Sequence, residues 1–101
     1  MSDVRYTVSA SFPDQTMADA WVAWLHQGHI DKVLAAGATN AELSRVPGDE
    51  IACRVTYHFP SWDAFTAYER DHAPRLRAEG LALFPIEKGI RYHRSVDEIA
   101  S

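Results

Sequence analysis

The chain has 101 residues, 47% of them hydrophobic and 24% charged, with a formal net charge of −4. That length suits one domain, and the composition is globular rather than disordered or coiled-coil. The acidic balance argues against a dedicated nucleic-acid binder, and a single cysteine, Cys53, excludes an internal disulfide and a cysteine-rich zinc site.

No apolar run approaches the ~20 residues of a membrane span. The opening MSDVRYTVSA lacks the basic and apolar regions of a signal peptide. A single soluble domain over residues 1–101 is therefore expected, cytoplasmic and without a membrane partner.

Val4 to Phe12 alternates, with Val4, Tyr6, Val8, Ala10 and Phe12 on one face and Arg5, Thr7, Ser9 and Ser11 on the other. That period of two predicts a strand ended by Pro13. Asp14 or Thr16 suits a helix cap. Met17, Trp21, Trp24, Leu25 and Gly28 follow at helical spacing. Gly28 interrupts or ends this helix, and a second piece with Ile30, Val33 and Leu34 inward closes at Gly37. Ala38 to Val46 reads as a weaker strand, and Pro47 to Glu50 as a turn. Ile51 to Phe59 alternates most clearly, and places Cys53 among its apolar positions.

Ser61 caps the next helix, which carries Trp62, Phe65, Tyr68 and His72. Pro74 suits the first turn of a new short helix, Arg75 to Glu79, closed by Gly80. Phe84 and Pro85 lead into a last strand, Ile86 to Arg94, and Ser95 to Ser101 read as a loosely held tail.

The order is βαββαβ, an α+β, ferredoxin-like split βαβ arrangement. Two helices cover one face of a four-stranded antiparallel sheet. The other face carries Arg5, Thr7, Ser9, Arg54, Thr56, His58, Arg91 and His93. It is either solvated or paired with the same face of a second chain.

Two stretches add to this order: AWVAWLHQGHIDKVLAAG (20–37) and SWDAFTAYERDHAPRLRAEGLALFP (61–85), in which HAPRLR is the most specific run. With them the chain resembles a family of small bacterial proteins of unknown function in the dimeric α+β barrel superfamily. The antibiotic biosynthesis monooxygenase-like proteins belong to the same superfamily. The resemblance implies a homodimer joined through the sheet, each subunit giving half a barrel. It also implies a small-molecule cavity between helices and sheet. Some relatives oxidise aromatic substrates without metal or flavin, and others degrade haem, isomerise or only bind. Fold alone does not choose among these. Haem degradation on this scaffold uses an asparagine, a tryptophan and a histidine. Here strand one carries Thr7 and Tyr68 falls nearer the tryptophan place, so that role is not carried over.

His29 and His72 follow the two main helices and suit either general acid–base work near neutral pH or capping of a helix end. Both are taken as catalytic candidates. Arg75 and Arg77 lie just past Pro74, where free amide groups and a guanidinium favour an anion. A surface pair with Asp71 or Glu79 is the plainer alternative. Arg75 is the ligand-binding candidate, with Trp21, Trp24, Tyr57 and Tyr68 as an aromatic wall that otherwise reads as core. His26 and His29 stand three apart but lack the further ligands of a zinc site, so no metal and no cofactor are expected. Two functions stay open. One is a binder of a small aromatic or acidic molecule, with cofactor-independent monooxygenase-like or isomerase-like chemistry. The other is a non-catalytic dimeric accessory or ligand-binding module. An open cavity favours the first and a filled core the second.

Overall fold

The structure, a computed structural model, describes residues 3–99. Strand β1 (Val4–Phe12) leads to helix α1 (Gln15–Trp24), a π-type turn at Leu25–His29 and helix α2 (Ile30–Ala35). Strands β2 (Asn40–Val46) and β3 (Ile51–Phe59) form a hairpin. Helices α3 (Trp62–Asp71) and α4 (Ala73–Leu83) follow, then a 3₁₀ turn at Ile86–Lys88 and strand β4 (Arg91–Glu98). The sheet order is β2-β3-β1-β4, antiparallel throughout, which is the ferredoxin-like α+β topology.

Local chemistry explains the starts and stops. Asp14, rather than Thr16, caps α1: its carboxylate accepts from the Met17 amide at 2.8 Å. Ser61 does the same for the Ala64 amide at 3.1 Å. The sheet register places Tyr6 opposite Tyr57 and Ala10 opposite Cys53, so the apolar alternates of the two central strands share one face. Trp21, Leu25, Val33, Tyr68 and Leu76 descend onto that face and are buried. Burying side chains of this size contributes about 1.5–3 kcal/mol each. The edge strands β2 and β4 carry Glu42, Arg45, Arg91, Arg94 and Asp97, charges that discourage strand-on-strand association.

Four expectations are corrected. The short helix Arg75 to Glu79 is in fact Ala73–Leu83, and Gly80 lies inside it. The last strand is not Ile86 to Arg94 but Arg91–Glu98, because Ile86–Lys88 forms a 3₁₀ turn that Gly89 closes at φ +89°. Ser95 to Glu98 therefore belong to the sheet, with Ser95 opposite Thr7 and Glu98 opposite Val4. The Ile99 amide donates to the Asp3 carbonyl at 2.8 Å, and the rest of the expected tail lies outside the described residues. The weaker strand starts two residues later than expected, at Asn40.

Candidate functional site

The helices do not close fully over the sheet. Beneath α4 a cavity of about 50 Å³ remains, room for about four waters. Tyr6, Val8, Val55, Tyr57, Tyr92 and Arg94 rise from the strands to form its floor. Trp21, Trp24, Leu25, His29 and Tyr68 come from the helices and the π-type turn, and Leu76, Arg77, Gly80 and Leu81 from α4. The α4 contribution follows a helical period, since positions 76, 77, 80 and 81 share one face.

The π-type turn sets one wall. Gly28 adopts φ +145° there, a region that side-chain-bearing residues rarely enter. The kink breaks the line of α1 before α2 begins and brings His29 over Trp24, ring centroids 4.2 Å apart and 25° from parallel. Trp24 itself needs α4 close by. A Cβ on Gly80 would sit 3.0 Å from the indole Cη2 atom, so the glycine makes room for the ring.

Burial holds the His29 imidazole well below its ordinary value, to about 4. Glu79 and Lys32, paired with each other at 3.0 Å, pull it in opposite directions as smaller effects. His29 is therefore neutral at pH 7. Burial raises the Tyr57 and Tyr68 hydroxyls above the usual phenol range, so both remain protonated donors. Arg77 gives both Glu69 oxygens a hydrogen bond, at 2.7 and 2.8 Å, and a third goes to the Tyr6 hydroxyl at 3.2 Å. Its guanidinium lies 6.0 Å from the Tyr6 ring centroid.

Three buried polar atoms on cavity-lining residues have no hydrogen-bond partner in the protein: His29 Nδ1, Tyr57 Oη and Arg77 Nε. Orphaned groups of this kind are uncommon in folded proteins and each costs about 1–3 kcal/mol. The site thus joins aromatic walls, hydroxyl and guanidinium donors, and one neutral imidazole acceptor. Among the described residues, no group of three His, Cys, Asp or Glu side chains is placed to hold a metal ion.

Of the residues singled out in the sequence, Trp21, Trp24, Tyr57, Tyr68, His29 and Arg77 meet at this cavity. His72 and Arg75 do not line it. His72 stands at the junction of α3 and α4, its Nδ1 atom buried and unpartnered and its side chain making no capping bond. Arg75 is exposed, because the helix face that meets the cavity runs through Leu76 and Arg77 instead. The ion-pair partner of Arg77 is Glu69, neither Asp71 nor Glu79.

Residues 5–92 match the family described as "Domain of unknown function (DUF4286)". The chain belongs to that family. No curated protein matches it. Solved structures resemble this DUF4286 chain across their whole length, at identities that speak for the fold. A dimeric ferredoxin-like protein from an uncultured marine organism is 14% identical with a TM-score of 0.77, covering 100% of this chain and 98% of that one. A candidate antibiotic biosynthesis monooxygenase from Bacillus cereus is 15% identical, TM-score 0.66, with 100% and 96% covered. A cofactor-independent oxygenase from Streptomyces nogalater is 11% identical, TM-score 0.63, also with 100% and 96% covered. The structural neighbours of this family member are thus dimeric ferredoxin-like and antibiotic biosynthesis monooxygenase-like proteins. Among its described residues no helix is long and apolar enough to cross a membrane.

Proposed function

We propose that the chain is a homodimer that binds a small aromatic molecule bearing an acidic or phenolic oxygen, in the cavity between helices and sheet. The observation that carries this reading is that three residues lining one aromatic-walled space, His29, Tyr57 and Arg77, each hold a buried polar atom without a protein partner, namely Nδ1, Oη and Nε. A ligand oxygen that accepts from Tyr57 and Arg77, with a hydroxyl that donates to His29, supplies what the fold leaves unmet. The dimeric ferredoxin-like neighbour supports the assembly, and the oxygenase neighbour shares the fold while acting as a cofactor-independent oxygenase.

The imidazole argues for binding ahead of proton abstraction. A base near 4 stands six units below an ordinary phenol, so full transfer is uphill by about 8 kcal/mol before the donors contribute. Cofactor-independent monooxygenase-like or isomerase-like turnover is the second reading. It requires Tyr57 and Arg77 to stabilise the ligand anion by most of that amount.

Thermal-shift screening of aromatic acids and phenols, followed by calorimetry on the Tyr57→Phe variant, tests the binding reading. The expected result is a ligand that raises the melting temperature and binds Tyr57→Phe several-fold more weakly. The apo variant is expected to be no less stable than the parent, because the deleted hydroxyl has no partner. A ligand whose affinity ignores Tyr57→Phe, or no ligand at all, overturns the site. Oxygen uptake with any confirmed ligand separates the binder from the oxygenase.

A further inference from the structure

We propose that Arg94 selects the ligand: the cavity takes an aromatic carboxylate whose acid group meets Arg94 and whose far end reaches Tyr57. The inference rests on the binding reading above and names its substrate class.

Two arginines line the cavity, and their charges are not equivalent. Arg77 is already matched by Glu69 through both carboxylate oxygens, so it presents donors with little net charge. Arg94 forms no ion pair among the described residues. It stands opposite Val8 in the sheet, on the helix-covered face, and is exposed. Its guanidinium lies 5.9 Å from the Tyr92 ring centroid. That ring is fixed, because the Tyr92 hydroxyl donates to the Phe84 carbonyl at 2.7 Å. An uncompensated guanidinium held against an aromatic wall at the open side of a cavity suits a carboxylate, which it can bind with two parallel hydrogen bonds.

The spacing sets the ligand's shape. Val55, Val8 and Arg94 form one row across β3, β1 and β4, and Tyr57 stands on β3 in the next row. Two strand spacings, roughly 10 Å, separate the backbones of β3 and β4. A molecule that meets Tyr57 and Arg94 together carries polar groups at opposite ends of its ring. Trp24 and Tyr92 line the same cavity and supply aromatic surface for that ring.

Calorimetry with 4-hydroxybenzoate and its neutral amide, 4-hydroxybenzamide, tests this on the full chain. The parent protein is expected to bind the acid about tenfold more tightly than the amide, with an advantage that shrinks as salt is raised. Arg94→Gln is expected to bind the two equally, and Arg94→Lys to restore part of the preference. Arg94 is exposed, so its variants keep the fold, and circular dichroism checks that. Equal binding of acid and amide by the parent, with both weakened in Tyr57→Phe, overturns the role of Arg94 and leaves the cavity reading standing. A preference that survives Arg94→Gln does the same. Binding of neither compound, or binding indifferent to Tyr57→Phe, overturns the cavity reading and this proposal with it.

Discussion

His29 is where burial, geometry and ionisation meet in one residue. Its ring is stacked on Trp24 and its Nδ1 atom is buried without a partner. The cost of charging it there lowers its value from the ordinary 6.5 to about 4. Below 6.5 the unfolded chain takes up a proton that the folded chain refuses, so stability falls as pH drops from about 6.5 to about 4. Above 6.5 this residue adds no slope. The shift corresponds to about 3 kcal/mol, and partial exposure of the ring reduces that to about 1–2 kcal/mol. Denaturant melts at pH 7.5 and 4.5 are expected to differ by this amount more in the parent than in His29→Gln. An identical pH difference in the two proteins removes His29 as the source.

The elements show what the sequence made legible and what it concealed. The central strands β1 and β3 were readable to the residue, because both have one buried apolar face and strict alternation. The aromatic residues of the cavity were readable for the same reason, since Tyr57 sits on that face and Trp21 and Trp24 recur at helical spacing. Arg77 and Arg94 were harder. Gly80 reads as a stop signal, and taking it so truncates α4 before the repeat 76, 77, 80, 81 can be seen. Tertiary contact reverses that local rule: the glycine is kept inside the helix where Trp24 packs on it. Arg94 was hidden because β4 is an edge strand rich in charge, and only its two-residue offset from Tyr92 signals the shared face. The Glu69 partner of Arg77 lies on the preceding helix, a pairing fixed by how α3 and α4 pack. Gly80→Ala probes this packing. Alanine improves the helix by about 1 kcal/mol, while its methyl pushes Trp24 at a contact of 3.0 Å. Stability is expected to stay within about 1 kcal/mol of the parent while affinity for a cavity ligand falls about tenfold. Unchanged affinity in the folded variant would show that Trp24 does not shape the site.

At the scale of the whole molecule, the two faces of the sheet divide the labour in the proposed assembly. The helix-covered face holds the cavity. The opposite face presents Thr7 and Thr56 in hydroxyl contact at 3.3 Å, with Arg5, Arg54, His93, Ser95 and Asp97 around them. Four strands at ~4.8 Å and about eight residues at ~3.3 Å give a face of roughly 500 Å². Two such faces reach the roughly 1,000 Å² that a specific interface needs. The residues suit a two-fold pairing, because arginines and acids both occur on the face and a rotation can set one against the other. Thr7 lies at the middle of β1, so Thr7→Arg places a bulky charge at the centre of the joined sheets. Light scattering is expected to give the parent a mass near twice 11.3 kDa and the variant a mass near 11.3 kDa. A parent that stays at 11.3 kDa at high concentration, or a Thr7→Arg variant that remains dimeric, refutes the sheet-to-sheet dimer. The same variant tests the division itself. Thr7 points away from the cavity, so a ligand that binds the parent is expected to bind the folded monomer within about twofold, whereas a large loss would mean that the partner subunit completes the site.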